Sequence, residues 1–326
     1  MTLFLTEADV RSVFDWNAAI GALRTAYATP IADDQLPPRG MARAPGAWLR
    51  TLSGTLPPEG LMGAKLIAAS TAHRRATYLI PLFDLESTEL VALLDASLIT
   101  GFRTAATSAL AVDALTPPGP PRVAVIGSGF EAQQHVRALA AVRELASVSV
   151  FSPNPASRKA FLDRLAHVGV PMTEAPSAPE AVAGAEVVVC AARARDEKPT
   201  LHGEWLEAGM TVVSIGSTLP EQRELDVDAL TRADLVVADQ PDEVLHDTGD
   251  LIAATAAGVP VTKKLRSLNE VLTSGDGRPS AEAVVLYKSV GSAVQDLAVA
   301  ALCLRRAQET GVGTTLAVGT TTVVKP

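Results

Sequence analysis

The sequence predicts an α/β protein: a Rossmann-type doubly wound parallel sheet inserted in a second, α+β domain. Three observations carry that expectation. Short apolar runs alternate with helix-period segments from residue 117 to about 285, as in right-handed βαβ units whose strands are buried on both faces. The stretch Gly127-Ser128-Gly129-Phe130-Glu131-Ala132 directly follows the first of those runs, where a doubly wound fold places its glycine-rich turn. The sharpest break in composition is Thr116-Pro117-Pro118-Gly119-Pro120-Pro121, because proline cannot continue a helix and pushes the residue before it out of helical conformation.

Taken in order, Thr6 and Asp9 have the spacing of a capping box before one short helix, and Asn17–Ala28 has the pattern of a longer one. Residues 46–94 alternate as several strands, among them Tyr78–Phe83 and Leu90–Leu94, and the Ala-rich Leu98–Leu115 is helical. Beyond the prolines, Val123–Ile126 is a buried strand, Glu131–Leu139 a helix, Val148–Phe151 a second strand and Ser157–Leu165 a helix. Glu186–Cys190, Met210–Ile215 and Leu235–Ala238 are further strands. Ala281–Thr310 reads as one long helix, and Thr314–Val324 is β-prone. The expected domains are therefore 117–285, the Rossmann unit, and 1–116 with 286–326, one second domain built from both flanks.

Composition excludes several classes. The 326 residues carry 28 Lys and Arg against 36 Asp and Glu, a net charge of −8. That balance repels phosphate backbones and anionic lipid, so neither nucleic acid nor a membrane surface is an expected partner. A local Arg and Lys cluster can still hold an anionic small molecule. No run reaches the ~18 apolar residues of a spanning helix, and the first residues lack the basic start of a signal peptide. Cys190 and Cys303 form no CxxC, and the five histidines have no HExxH spacing. A reduced, cytoplasmic protein without a structural metal is the expectation.

In the glycine stretch each residue type has a reason. Gly127 allows the tight turn, Gly129 lets backbone approach a pyrophosphate, and Ala132 allows close helix–strand packing. The backbone of Ser128, Phe130 and Glu131 opens a helix whose N-terminus attracts phosphate. The alternative is a glycine turn without a ligand. An NAD site places Asp or Glu at the end of the second strand to hold the ribose 2′-hydroxyl. Here the strand ends Phe151-Ser152-Pro153-Asn154, and Arg158 follows. With Ser152, Asn154 and Arg158 offering donors and positive charge, NADP is favoured and NAD remains open. The alternative for Arg158 is a solvated helix face.

Three further strings are more specific: Gly101-Phe102-Arg103-Thr104-Ala105-Ala106-Thr107-Ser108, Ser267-Leu268-Asn269-Glu270-Val271-Leu272, and Lys288-Ser289-Val290-Gly291-Ser292-Ala293-Val294-Gln295-Asp296-Leu297-Ala298. With the glycine loop between the first two, the chain resembles the ornithine cyclodeaminase/mu-crystallin family over nearly its whole length. The resemblance implies a homodimer, with the second domain binding substrate and forming the dimer. Family members reduce or form α-imino acids. The resemblance implies a carboxylate clamp at Arg39, Lys65 and Arg103, and a cofactor- or amine-side role for Asp296. Arg suits a carboxylate through its bidentate fork. Read without the family, Lys65 is equally a snorkelling strand residue, and Arg39 and Arg50 are surface charges.

Where cyclodeaminases carry an Asp, this chain has Thr218, within Ile215-Gly216-Ser217-Thr218-Leu219-Pro220-Glu221. A threonine hydroxyl orders water or hydrogen-bonds but is no general base near neutrality. Gly216 and Ser217 join the expected cofactor contacts. So does Cys190, whose alternative is a small core residue. Glu221 reads as complementing a helix start. The leading expectation is an NAD(P)H-dependent reductase of a small 2-imino acid, or an amino-acid dehydrogenase. It has the three cations fixing the substrate acid against the nicotinamide. The alternatives are an ornithine or lysine cyclodeaminase releasing ammonia, and a non-catalytic NADPH-dependent binder like mu-crystallin.

Overall fold

The computed structural model describes residues 1–192, 198–317 and 321–323. The chain opens on β1 (Leu3–Leu5), and Thr6 and Asp9 cap each other at the start of α1 (Glu7–Val13). In α2 (Trp16–Ala28) the Asp15 carboxylate accepts from the Ala18 amide, and Ala19, Ile20, Leu23, Ala26 and Tyr27 form the buried stripe. Then come β2 (Gly40–Ala44), β3 (Ala47–Leu56), β4 (Leu61–Ser70), β5 (Arg75–Asp84) and β6 (Leu90–Asp95). On β4, Lys65 and Ile67 share the buried row, so a lysine occupies a position that strand alternation assigns to the core. Helix α3 (Ser97–Leu115) follows.

A parallel sheet then begins with β7 (Arg122–Ile126), α4 (Phe130–Val142), β8 (Ser147–Phe151), α5 (Pro155–Leu165) and β9 (Met172–Glu174). It continues through α6 (Ala178–Val182), β10 (Val187–Cys190), β11 (Thr211–Ser214), α7 (Val227–Arg232) and β12 (Leu235–Ala238). The helices α8 (Pro241–Asp247), α9 (Gly249–Ala256) and α10 (Val261–Lys264) lead to β13 (Leu265–Ser267), α11 (Leu268–Ser274) and β14 (Val285–Lys288). The eight strands lie in the order β13-β12-β14-β11-β10-β7-β8-β9, every pair parallel. Strand order reverses between β7 and β10, the place where such sheets open a crevice for ligands. The chain ends in α12 (Ala293–Thr310) and β15 (Thr314–Thr315).

Contacts divide the chain into two units, Met1–Arg103 with Ser292–Pro326 and Thr104–Gly291. The second holds the parallel sheet. The first is built from both chain ends, because β15 pairs antiparallel with β1 in a sheet of order β15-β1-β6-β5-β4-β3-β2. Gly63 lets β4 run close to its surroundings: a Cβ there would meet the Pro81 carbonyl, and Leu297 of α12 at 3.0 Å.

One expected element is corrected. Residues 281–310 are not one helix: β14 is a fully buried strand, Gly291 takes φ +86°, and helix begins only at Ala293. The run Val284-Val285-Leu286-Tyr287 is β-branched and aromatic, which favours a strand between two others. The β-prone tail forms β15 alone, and residues 318–320 and 324 lie outside the described residues.

Candidate functional site

In the second unit, the turn after β7 has the geometry a phosphate needs. Gly127 has φ +115°, and a Cβ there would lie 2.7 Å from the Ala191 carbonyl oxygen and 2.9 Å from the Ala192 amide nitrogen. Gly129 is the N-cap of α4 with no side-chain cap, and nothing lies within 4 Å of where its Cβ would be. An uncapped helix N-terminus with open space above it leaves backbone donors for an anion. Ser128, Phe130 and Glu131 sit at this turn, Phe130 with its ring exposed, and Ala132 is buried beneath it. The Oγ atoms of Ser128 and Ser152 are 2.9 Å apart, which ties the turn to the end of β8. These residues fit a dinucleotide pyrophosphate.

The end of β8 carries no carboxylate of its own. The Arg158 guanidinium donates to the Ser152 carbonyl at 2.6 Å, packs 5.9 Å from the Phe151 ring centroid, and contacts Glu174 of β9 at 3.3 Å. Asn154 accepts from the Ala156 amide as the cap of α5. Structure thus brings Ser128, Ser152 and Arg158 together, while the Asn154 oxygen is occupied by the helix.

At the carboxyl ends of β10, β11 and β14, Cys190, Ser214 and Lys288 stand in register. Lys288 Nζ lies 2.8 Å from Asp250 Oδ2 and donates to Ser214 Oγ at 2.9 Å. Ser214 Oγ and the Gly216 amide both donate to Glu224 Oε2, at 2.8 and 2.7 Å. Asp250 Oδ1 accepts from the Glu224 and Leu225 amides. Burial raises the Glu224 carboxyl to about 7, against the pull of Lys288. Burial also pushes the Cys190 thiol well up, and the Glu224 charge adds to it. Cys190 is a protonated core thiol. Ser217 Oγ donates to the Gln222 carbonyl, and the Thr218 amide to Gln222 Oε1. Glu221 is an exposed turn residue and starts no helix.

In the first unit, Lys65, Arg103 and Asp296 meet. Lys65 Nζ is 2.8 Å and Arg103 Nε 2.9 Å from Asp296 Oδ1. The three are 1%, 5% and 0% exposed, so their charges act on one another with little screening. Arg103 also donates to Gln295 Oε1 at 2.5 Å, and Gln295 Nε2 donates to the Tyr27 hydroxyl at 2.9 Å. Burial, with Arg103 next, lowers Lys65 to about 8 against the pull of Asp296. Arg39, half-buried just ahead of β2, adds a smaller charge effect on Lys65. Asp296 Oδ2 is buried and accepts no hydrogen bond among the described residues. The Arg50 guanidinium lies 5.3 Å from the Trp48 ring centroid.

Sequence reasoning missed Glu224, Asp250 and Lys288, and with them Gln295 and Tyr27. Lys288 carries a signal in the sequence, a lysine closing the apolar run Val284–Tyr287. Glu224 is brought in from a loop and Asp250 from the first turn of α9, and their spacing carries no comparable sign. Among the described residues no group of His, Cys, Asp and Glu is arranged to hold a metal, and no helix is long and apolar enough to cross a membrane.

A glycine turn in dinucleotide geometry, on a sheet inserted in a second α+β unit, defines the class as a Rossmann-type α/β protein. A profile of the ornithine cyclodeaminase/mu-crystallin family matches residues 63–311, and the chain belongs to that family. It is 31% identical over 221 residues to ketimine reductase mu-crystallin of Mus musculus, across 68% of this chain and 66% of that protein, just under two thirds of the relative's length. It is 28% identical over 320 residues to alanine dehydrogenase of Archaeoglobus fulgidus, across 96% of this chain and 97% of the relative. With a Delta(1)-pyrroline-2-carboxylate reductase of Bacillus cereus it shares 30% over 265 residues, across 78% and 81% of the two chains. Among solved structures, a probable ornithine cyclodeaminase from Bordetella pertussis superposes with TM-score 0.85 at 31% identity, covering 95% of this chain and 99% of that one. An archaeal alanine dehydrogenase dimer with bound NAD gives 0.87 at 26%, covering 96% and 98%.

Proposed function

We propose that this chain is an NAD(P)H-dependent reductase of a small 2-imino acid, of the ketimine or pyrroline-2-carboxylate type, or an amino-acid dehydrogenase in the opposite sense. The observation that carries the reading is the buried group of Lys65, Arg103 and Asp296. It holds two cations to one carboxylate when Lys65 is protonated, and an excess positive charge in a site this dry favours an anionic guest. The substrate acid takes Arg103, Lys65 and Arg39 as partners. Asp296 Oδ2, which lacks a bond among the described residues, accepts from the substrate nitrogen. Lys65, with its proton held up to about pH 8, supplies a donor to the same end of the molecule. The dinucleotide, when bound at the Gly127–Ala132 turn, supplies the hydride.

NADPH is the preferred partner in this proposal, supported by the lack of a carboxylate at the end of β8 and by Arg158 beside Ser152. A homodimer and a cytoplasmic location belong to the same reading; an archaeal relative is a dimer with bound NAD, and both cysteines here are free and buried. The relatives' names, a ketimine reductase, an alanine dehydrogenase and a pyrroline-2-carboxylate reductase, point to imine and amine interconversion.

The test is nicotinamide absorbance with pyrroline-2-carboxylate, piperideine-2-carboxylate, and pyruvate plus ammonia or methylamine, each with NADPH and NADH. Oxidation of the cofactor by at least one of these acids, faster with NADPH, is expected. Retained NADPH binding with silence across the panel sinks the reductase and leaves the binder. Ammonia release from ornithine or lysine without steady cofactor oxidation identifies a cyclodeaminase instead. A clear preference for NADH removes the argument from Arg158.

A further inference from the structure

Gly216 and Ser217 are cofactor contacts expected from the sequence, and they belong to the same dinucleotide reading. Strand β11 ends at Ser214, and the Ile215 amide still donates to the Cys190 carbonyl of β10 at 3.3 Å. Gln222 holds Ser217 and Thr218, and one carboxylate grips the start of the turn: Glu224 Oε2 accepts both the Ser214 hydroxyl and the Gly216 amide. A Cβ on Gly216 would run into the Glu224 carboxylate, so the glycine and the acid are fitted to each other. Glu224 is fully buried, and its Oε1 has no hydrogen bond among the described residues. Among the described residues, the charged and titratable groups facing it are Lys288 on β14, Asp250 on α9 and Cys190 on β10. Lys288 is shared: its ammonium contacts Asp250 directly and reaches Glu224 through the Ser214 hydroxyl. One cation thus serves two acids.

We infer that Glu224 is a positioning residue for dinucleotide binding, its ionised carboxylate holding the Ser214–Gly216 start of the turn and its protonation loosening it. The inference rests on the proposed use of that turn by the cofactor. A carboxylate grips an amide about twice as strongly as a neutral acid does, and Glu224 changes between these forms at about 7. Affinity therefore rises as pH rises through neutrality. The linkage is reciprocal, so binding of the dinucleotide releases a proton from Glu224 in the same window.

NADH fluorescence titration of the full chain, without substrate, tests this. NADH has no group of its own that titrates near neutrality. The wild type is expected to bind roughly fivefold more tightly on the alkaline side of the inflection than on the acid side. Glu224→Gln is expected to bind at the weak level throughout, with no inflection. Ser214→Ala removes a donor that lowers the Glu224 pKa, so its inflection moves to higher pH; this arm decides the matter if Glu224→Gln fails to fold. A flat wild-type profile, affinity falling with pH, an inflection retained in Glu224→Gln, or one unmoved in Ser214→Ala each overturns the inference. Failure of both NADH and NADPH to bind at every pH contradicts the proposed function instead, so the two failures are distinct.

Discussion

Lys65 and Asp296 stand 231 positions apart in the chain and 2.8 Å apart in space. Their contact with Arg103 sets the chemistry of the first unit. Asp296 raises the Lys65 pKa, while burial and Arg103 lower it, for a result of about 8. Asp296→Asn therefore makes Lys65 lose its proton at lower pH. The alkaline limb of kcat/KM is expected to shift towards neutrality, and a limb that stays in place in this variant removes Lys65 as the titrating donor. The same substitution leaves two buried cations without their carboxylate, for a loss of about 3–5 kcal/mol in urea denaturation. Lys65 was legible only through the family resemblance, since a lysine in an apolar run reads equally as a snorkelling strand residue, and Arg103 and Asp296 because they lie in distinctive strings. Their sharing of one carboxylate oxygen was not, since no spacing in the sequence encodes a contact between β4, α3 and α12.

At the scale of elements, the turn from β7 into α4 separates two glycines by what surrounds them. At Gly127 the backbone is left-handed and a side chain would press on Ala191 and Ala192. Gly127→Ala is expected to cost ~1–3 kcal/mol in thermal or urea unfolding and to weaken dinucleotide binding. At Gly129 φ is −74°, and open space lies where a Cβ would go. Gly129→Ala should leave the melting temperature of the free protein unchanged yet weaken NADPH by ~10-fold or more, a loss of ~1.4 kcal/mol. Full affinity in that variant means the pyrophosphate does not approach the turn closely. This element was readable because glycine spacing and a preceding buried strand are both local signals. Strand β14 was misread because Val284–Tyr287 runs into a long helix, and only Gly291 marks the break.

Across the whole molecule, buried charge couples stability to pH. Glu224 has a folded pKa of about 7 against an ordinary 4.5, so the folded chain holds this proton more tightly than the unfolded one. The stability it contributes is complete below about 4.5 and lost as pH rises through about 7. Glu224→Gln escapes that loss. Its stability relative to the wild type is expected to climb across the window by on the order of 3 kcal/mol in urea denaturation; a difference that is flat with pH refutes the assignment. The architecture was largely legible, because alternating βαβ periodicity and a proline break are patterns of neighbouring residues. The buried acids Glu224 and Asp250 were not, because a loop and the first turn of α9 bring them to the sheet and nothing in their own sequence neighbourhood announces burial.

The central claim is that Lys65 acts on the substrate and not on the dinucleotide. Lys65→Ala, assayed for NADPH-dependent reduction of the best acid in the panel and titrated in parallel with NADPH, tests it most directly. Turnover should fall by roughly two to four orders of magnitude, with NADPH affinity unchanged. Turnover near the wild-type level, or a loss explained entirely by weaker NADPH binding, contradicts the account.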